Sequence, residues 1–388
     1  MKKIGLIGIS ALFLAAGCLV YVQEPYDRPP VEEGYYEEGP PAGRVDTGYF
    51  YDQLSPFGYW VDMPGHGYVW IPNQVEYGWR PYTHGRWMWT DFGWTWVSEY
   101  RWGWAPFHYG RWGWDDGFGW FWVPGHTWGP AWVSWRHGTT YLGWAPLPPG
   151  VRFTAGVGIT RLPRGLHHRY WVFVDGRYLT RSGLYRYVLP WERNPGLVGR
   201  TRVRTHIVHR NQMVINSGLE LDVARRVSRR SIQKVRVSES GRPGATRLSA
   251  RGIEIYRPEV ERGGTSAPGR ILPRSQVRER VSADRIRRVE KDSDAGFRDR
   301  QQREARLLKE SQERESRDLQ RRAEAEKRRA ASSDEKRKVE REYETRSVRL
   351  KKEHTQEKST LRKRHEKEKS TAAKTRVSKT AVKKKKKK

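Results

Sequence analysis

The 388-residue sequence contains one cysteine, Cys18, so no disulfide can form within the chain. It has no lysine between Lys3 and Lys234, although lysine and arginine together outnumber aspartate and glutamate by 75 to 44. It also lacks GxSxG, HExxH and Walker motifs. These absences predict a protein that is not an enzyme and that binds no cofactor.

The positive charge is concentrated at one end of the chain. The formal net charge is +31, and about 21 of these units lie after Gly269. Such an excess predicts an anionic partner, which could be nucleic acid, a membrane or lipopolysaccharide surface, or an acidic wall polymer. With 31% charged residues and a mean hydropathy of −0.89, part of the chain must be solvated.

The N-terminal stretch MKKIGLIGISALFLAAGC has two lysines, a short apolar run and small residues before Cys18. The apolar run is too short to span a bilayer and fits the central region of a signal peptide. The ending resembles a bacterial lipobox, which implies that residues 1–17 are removed and that Cys18 is lipidated. Leu19 is not aspartate, so by the same resemblance we expect an outer-membrane anchor facing the periplasm. The alternative is an ordinary secretory signal.

Tryptophan recurs with a period of two between residues 57 and 150. YWVDMPGHGYVWIP (59–72), RWMWTDFGWTWVS (86–98) and RWGWDDGFGWFWVP (111–124) each contain two alternating runs around a turn with glycine. Each pattern predicts a β-hairpin, and the starts of the three hairpins are about 25 to 27 residues apart. Alternation places Trp112, Trp114, Trp120 and Trp122 on one face of the third hairpin.

Seventeen of the 19 tryptophans lie in this region, and each buries on the order of 200 Å² when packed. A soluble surface tolerates an apolar patch of only a few hundred Å², so we expect most of these rings to form the core. The alternative is that a minority in the links between hairpins stack on sugar rings. The candidates for stacking are Trp102, Trp104, Trp128 and Trp144.

The arginines of this region are candidates for stacking on indole faces. Arg80, Arg86, Arg101, Arg111 and Arg136 occur where lysine is absent, and a guanidinium stacks on aromatic rings better than an ammonium does. The alternative is that they are outward-facing strand residues.

Histidines and paired acids do not form a recognisable site in the sequence. His66, His84, His108, His126 and His137 lie in turns or links and have no ligand spacing, so no metal site is predicted. Asp115 and Asp116 occupy a turn, where aspartate serves local hydrogen bonding, so they are a weak candidate for a glycosidase pair.

The run GWRPYTHGRWMWTDFGWTWVSEYRWGWAPFHYGRWGWDDGFGWFWVPGHTWGPAWVSWRHGTTYLGWAPLPPG resembles a family of exported, Trp-rich bacterial proteins of unknown function. The resemblance covers about residues 57–150 and continues more weakly through VRTHIVHRNQMVINSGLELDVARR to IEIYRPEV. It implies the same domain boundaries as the repeats. It implies no catalytic or binding residues.

Residues 151–262 have a more ordinary composition. RYWVFVDGRYLT and HIVHRNQMVINSG each predict a hairpin, ARGIEIYRP predicts a strand, and LELDVARRVSRRSIQKV predicts a short helix. We expect a small β or α+β domain beside the repeats.

The C-terminal third consists largely of Arg, Lys, Glu, Gln and Ala, which favours helix and many i,i+4 charge pairs. Its apolar positions, which include Leu307, Leu308 and Leu361, recur too irregularly for a strong coiled-coil seam, so we expect a single charged helix about 130 Å long. Six lysines end the chain and are the candidate polymer contacts: Lys383, Lys384, Lys385, Lys386, Lys387 and Lys388.

The sequence therefore predicts a mainly β protein with a long charged helical or disordered C-terminal arm. The predicted segments are a signal peptide (1–17), a flexible spacer (18–56), a Trp-rich hairpin domain (57–150), a second small domain (151–262), a linker (263–274), a charged helix (275–370) and a disordered Lys-rich tail (371–388). The predicted function is that of a non-enzymatic lipoprotein scaffold of the cell envelope whose basic arm contacts peptidoglycan or lipopolysaccharide. The alternatives are a carbohydrate-binding module and nucleic-acid binding by the tail.

Overall fold

A computed structural model describes residues 43–76, 78–159, 165–211, 213–249, 252–261, 266–291 and 294–385. The predicted signal peptide, Cys18 and the first part of the predicted spacer lie outside this range, as do Lys386, Lys387 and Lys388.

Short strands dominate the chain up to Val260, and helices dominate after it. In chain order the strands are β1 (Arg44–Val45), β2 (Gly58–Met63), β3 (Gly67–Pro72), β4 (Gly85–Thr90), β5 (Gly93–Ser98), β6 (Arg111–Asp115), β7 (Gly119–Val123), β8 (Val133–His137), β9 (Tyr141–Pro146), β10 (Phe153–Thr154), β11 (Gly158–Ile159), β12 (Val172–Asp175), β13 (Arg202–Arg204), β14 (Ile207–Arg210), β15 (Met213–Asn216), β16 (Val237–Ser240), β17 (Arg247–Ser249), β18 (Gly252–Tyr256) and β19 (Glu259–Val260). The helices are α1 (Thr47–Leu54), α2 (Asn194–Arg200), α3 (Leu221–Ser228), α4 (Arg274–Lys291), α5 (Asp294–Arg329) and α6 (Ser333–Lys385).

The three predicted hairpins lie where the alternation of the sequence places them, as β2–β3, β4–β5 and β6–β7. A fourth hairpin, β8–β9, follows them and was not predicted. In each of these four hairpins two tryptophans face each other directly across the strands. The pairs are Trp60 with Trp70, Trp87 with Trp96, Trp112 with Trp122, and Trp135 with Trp144.

A glycine at the start of the first strand, or directly before it, makes room for the indole in each of the three predicted hairpins. At Gly110, whose φ is +64°, a Cβ atom would lie 2.0 Å from the carbonyl oxygen of Val123 and 2.7 Å from Nε1 of Trp122. Gly58 and Gly85 occupy the same position and approach the rings of Trp70 and Trp96. Each of these three glycines therefore leaves space for an indole ring of the facing strand.

The four hairpins lie in three four-stranded sheets with the strand orders β2-β3-β7-β6, β14-β15-β5-β4 and β12-β9-β8-β13. The second and third sheets each combine a hairpin of the Trp-rich region with strands from beyond residue 170. Because these ladders join the two parts of the chain, residues 43–261 are described below as one body.

Indole forms the core of the body, as the limit on exposed apolar area predicts. Fifteen of the 19 tryptophans are buried. Several of the buried N–H groups donate to backbone carbonyls, including Trp122 to Tyr109 at 2.7 Å and Trp70 to Leu54 at 3.0 Å. A ring that satisfies its polar atom in this way can be buried without leaving a donor unpaired.

Residues 44–56 belong to the body, which corrects the predicted end of the spacer. The helix α1 begins after Asp46, whose side chain accepts a hydrogen bond from the backbone N–H of Tyr49. Phe50 and Leu54 of this helix are fully buried, and the Phe50 ring packs edge-on against Trp122 at 5.4 Å.

Three predictions for residues 151–262 are confirmed and one is wrong. The hairpin β14–β15, the strand β18 and the helix α3 are present. The segment around Asp175-Gly176 is not a hairpin, because β12 pairs with β9 and a 3-10 turn at Gly176–Tyr178 follows it. Asp175 caps this turn and pairs with Arg314 of α5 at 2.7 Å.

Two of the arginine predictions are confirmed. The guanidinium of Arg111 lies 3.8 Å from the ring centroid of Trp132, and that of Arg136 lies 4.8 Å from the ring of Trp171. Burial lowers the pKa of Arg111 to about 10, so the side chain remains charged at neutral pH.

The prediction of a single long C-terminal helix is wrong, because α5 and α6 fold back on each other as an antiparallel pair. Gln312 of α5 donates to Glu357 of α6 at 2.8 Å, and Gln301 donates to Glu368 at 3.2 Å. The turn is closed by a capping box. The backbone N–H of Glu335 donates to Oγ of Ser332, and the Glu335 carboxylate accepts from the backbone N–H of Ala331.

The helices cover the outer faces of two sheets. Val277 and Val281 of α4 pack on Val61, Ile71 and Phe121 of the first sheet. Leu307 of α5 packs on Tyr141 and Phe173 of the third sheet. We call α5 and α6 together the helical pair. Among the described residues, no helix is both long enough and apolar enough to cross a membrane.

Candidate functional site

Three of the four tryptophans proposed to stack on sugar are buried. Trp102, Trp104 and Trp144 are 2%, 3% and 0% exposed. Trp102 stacks on Tyr100 at 4.4 Å, and the indole of Trp144 donates to the carbonyl of Tyr82 at 3.0 Å. These rings offer no free face to a saccharide, because the links between the hairpins fold into the core.

The fourth candidate, Trp128, is half-buried and already has ring partners. It stacks on His108 at 5.4 Å, meets Phe92 edge-on at 5.0 Å, and lies 5.2 Å from the guanidinium of Arg257. The link tryptophans therefore extend the core.

The histidines of the repeats do not converge on one another. Within the part of the chain that the structure describes, no group of three or more His, Cys, Asp or Glu side chains could hold a metal ion. His108 is fully buried, and its Nδ1 lies 3.0 Å from the carbonyl oxygen of Gly129. Burial lowers the pKa of His108 to about 4, so it is neutral at pH 7.

Asp115 and Asp116 make the turn contacts expected of aspartate. Asp115 accepts from the backbone N–H of Gly117 at 2.7 Å and pairs with Arg274 of α4 at 3.1 Å. Asp116 accepts from the indole N–H of Trp114 and pairs with Arg169, and these contacts lower its pKa. Both carboxylates therefore have partners within the protein.

A cavity of about 620 Å³ lies where the first hairpin sheet, the segment 185–191 and the helices meet. Its lining is rich in aromatic and basic side chains. The lining includes Trp114, Tyr185, Trp191, Arg80, Arg169, Arg300, Arg303, Arg364, Lys367, Glu76, Asp116 and Glu304. We call this cavity the Trp191 groove.

Trp191 differs from the other tryptophans because 38% of it is exposed. Fifteen of the others are buried, and Trp89, Trp114 and Trp128 are half-buried. No ring of the described residues stacks on Trp191. The sequence does not single it out, because it stands alone, outside the repeats, after Pro190.

The two residues after Trp191 are buried and charged. Glu192 pairs with Arg364 of α6 at 2.6 Å, and Arg193 pairs with Glu315 and Glu357 of the helical pair at 2.7 Å each. Arg193 and the side chain of Glu192 have no exposed surface. These ion pairs attach the helical pair to the body and fix the short turn on which Trp191 lies.

Two carboxylates at the helical pair, Glu304 and Glu315, remain ionised at low pH. His365 and Arg364 hydrogen-bond to Glu304 and, despite its burial, lower its pKa to about 2. His354 and Arg193 act on Glu315 in the same way and also lower its pKa to about 2. The groove wall is therefore charged throughout the physiological range.

Two arginines of the groove make no ion pair within 4.0 Å among the described side chains. Arg80 donates to the carbonyls of Trp171 at 2.9 Å and Leu189 at 3.2 Å, and burial lowers its pKa to about 10. Arg303 lies on the groove face of α5. Its positive charge helps to lower the pKa of Glu76, although the two side chains do not form an ion pair. Arg169 and Arg364, in contrast, pair with carboxylates of the protein.

The lysines proposed as polymer contacts lie at the far end of α6. Lys383, Lys384 and Lys385 form its last turn, and Lys386, Lys387 and Lys388 lie beyond the described residues. The proposed lipidation site, Cys18, also lies outside them.

The match to a known family covers the region of the four hairpins. Residues 51–151 match a family of unknown function, DUF6600. This match confirms the resemblance of the Trp-rich region to a family without an assigned activity. The searches of curated proteins and of solved structures returned no match.

Proposed function

We propose that the protein is a non-enzymatic scaffold lipoprotein of the bacterial cell envelope whose basic C-terminal end binds an anionic envelope polymer, either peptidoglycan or lipopolysaccharide. In this proposal the lipid on Cys18 holds the protein at the outer membrane, on the periplasmic side. The N-terminal stretch, which resembles a lipoprotein signal, supports the anchor. Several acyl chains on Cys18 would give effectively stable membrane attachment.

The distribution of charge along α6 carries the proposal. Between Ser333 and Glu368 acidic residues alternate with basic ones, and several of them pair with α5 or the body, as Glu353 does with Arg200. After Glu368 the chain contains ten basic residues and no acidic one. α6 continues to Lys385, which places its end about 25 Å beyond Glu368.

A helix end with charge of one sign suits a polymer that repeats its negative charge. Each contact between a lysine and an anionic group is weak, but many of them act together on one chain. The segment after Glu368 contains no acidic residue, so its positive charges have no partner within the segment itself.

Sedimentation with purified sacculi and binding to lipopolysaccharide test this proposal. We expect the variant with Lys383–Lys388 changed to glutamine to lose most of the binding of the parent protein at low salt, because it loses six of the ten positive charges that follow Glu368. The matched control changes six exposed basic residues of the paired part of α6 to glutamine: Lys336, Lys338, Arg341, Lys351, Lys352 and Lys358. Equal binding by these two variants would contradict a role for the terminal lysines.

The anchor is tested separately by labelling cells with palmitate and fractionating their membranes. We expect label on the parent protein and none on the Cys18→Ser variant, which should leave the membrane fraction. An unlabelled parent would remove the lipid anchor and leave polymer binding to be judged by the sacculus experiment.

Nucleic acid is the main competing partner, since the same lysines would bind its phosphates. This alternative predicts steep salt dependence and binding to DNA that exceeds binding to sacculi at equal salt. That result, with the protein recovered inside the cell, would replace the envelope proposal.

A further inference from the structure

We infer that the Trp191 groove binds an acidic saccharide, with a sugar ring against the indole of Trp191 and the sugar carboxylate near Arg80 and Arg303. This inference concerns the body of the protein and is independent of the terminal lysines.

The first argument is the exposure of Trp191. The protein buries or partly covers 18 of its 19 tryptophans, yet it leaves this ring 38% exposed at the wall of a 620 Å³ cavity. A flat apolar ring face matches the C–H face of a pyranose, and an aromatic ring buries a large area at little conformational cost.

The second argument is that the ring is held in place. The buried ion pairs of Glu192 with Arg364, and of Arg193 with Glu315 and Glu357, anchor the two residues that follow Trp191. A ligand that stacks on Trp191 therefore does not have to order the turn first, which lowers the entropic cost of binding.

The third argument is the charge of the lining. Six basic side chains line the groove, and Arg80 and Arg303 have no carboxylate partner within 4.0 Å among the described residues. Arginine binds a planar carboxylate through two parallel hydrogen bonds, so Arg303 suits an acidic sugar better than a neutral one. Arg80, which donates to two backbone carbonyls, adds positive charge to the groove.

The groove also contains the carboxylates of Glu76, Asp116 and Glu304. Carboxylates accept hydrogen bonds from the several hydroxyl groups that a sugar presents. A lining of donors and acceptors around one exposed ring therefore favours a saccharide over single-stranded nucleic acid, which usually stacks on several rings along an open basic groove.

The site can be observed in the full-length protein by labelling tryptophan with fluorine and recording its NMR spectrum. The Trp191→Phe variant assigns the Trp191 resonance. The probe is a trimer of galacturonic acid, with the neutral trimer maltotriose and an oligothymidylate as comparisons. We expect the uronic acid trimer to shift the Trp191 resonance and maltotriose to shift it at least tenfold more weakly at equal concentration.

The arginine contact is tested by two variants on the same helix. Arg303→Gln removes a groove cation, and Arg306→Gln removes an exposed cation whose partner is Glu310 on the same helix. We expect Arg303→Gln to weaken binding of the trimer about tenfold, as measured at the Trp191 resonance, and Arg306→Gln to change it less than twofold.

Three results would overturn the inference. The first is a Trp191 resonance that does not move while the trimer shifts other resonances. The second is an equal loss of binding in the two arginine variants. The third is a stronger shift with oligothymidylate than with the uronic acid. Since the resonance reports only on the groove, binding of the probe to the terminal lysines does not affect it.

Discussion

Two regions of the molecule bury their surfaces in different ways. One is the interior of the body, and the other is the contact between the body and the helical pair. In the body, paired indoles face each other across four hairpins and many direct their N–H groups to backbone carbonyls. At the helical pair a few apolar side chains, such as Leu307, accompany buried ion pairs centred on Arg193 and Arg364. We therefore expect apolar area to supply most of the stability of the body and matched charges to hold the helices in place.

The largest effect should come from the centre of the indole core. Trp122→Ala removes a fully buried ring and leaves the carbonyl of Tyr109 without its indole donor. The cavity and the unpaired acceptor together should cost about 5 kcal/mol in the free energy of unfolding, measured with urea. Trp191→Ala is the matched control, and its cost should be about 2 kcal/mol smaller because 38% of the residue is exposed. Similar losses in both variants would contradict a core built on the paired indoles.

The next effect tests the ion pairs at the helical pair. Arg193→Met takes the arginine partner from buried Glu357 and one of two arginine partners from Glu315, which should cost about 4 kcal/mol and release the helices first. Hydrogen exchange in α5 should rise well before exchange in β6 and β7. The triple variant Arg193→Met, Glu315→Gln, Glu357→Gln should recover much of the loss, since no buried charge remains unpaired. No recovery would indicate that the guanidinium acts through packing.

The sequence was informative where the structure is local. Alternation with period two and the recurring glycines predicted three hairpins, because the pairing partner lies only a few residues away. The fourth hairpin carried the same signal, with Trp135 and Trp144 on either side of HGTT, but it lacks the D/G-rich turn of the others.

The sequence was less informative where burial depends on distant partners. The antiparallel arrangement of α5 and α6 buries charged residues, which have the composition of a solvated helix until their partners are known. One local signal was present, since Ser332 and Glu335 have the spacing of a capping box and mark the start of a new helix. Trp191 carried no signal, because nothing local distinguishes an exposed tryptophan from a buried one.

The smallest of these effects should distinguish the body from the helical pair by the pH at which each loses stability. The pKa of His108 in the folded protein is about 4, below its ordinary value of 6.5, because burial disfavours the charged ring. The unfolded chain therefore takes up a proton first, and stability that is complete above pH 6.5 should fall by about 3 kcal/mol as the pH drops to 4. Urea unfolding at several pH values measures this slope, and His108→Phe should flatten it.

The attachment of the helical pair should lose stability in a lower pH range. Glu304 and Glu315 have pKa values of about 2 in the folded protein against an ordinary value of 4.5, so their contribution is complete above pH 4.5 and is lost as the pH falls towards 2. Acid should therefore weaken the indole core before it weakens the attachment of the helices, which reverses the order produced by Arg193→Met. Hydrogen exchange at pH 5 measures this order. Loss of protection in α5 before the hairpins would show that groups other than His108 and these two carboxylates control the response to acid.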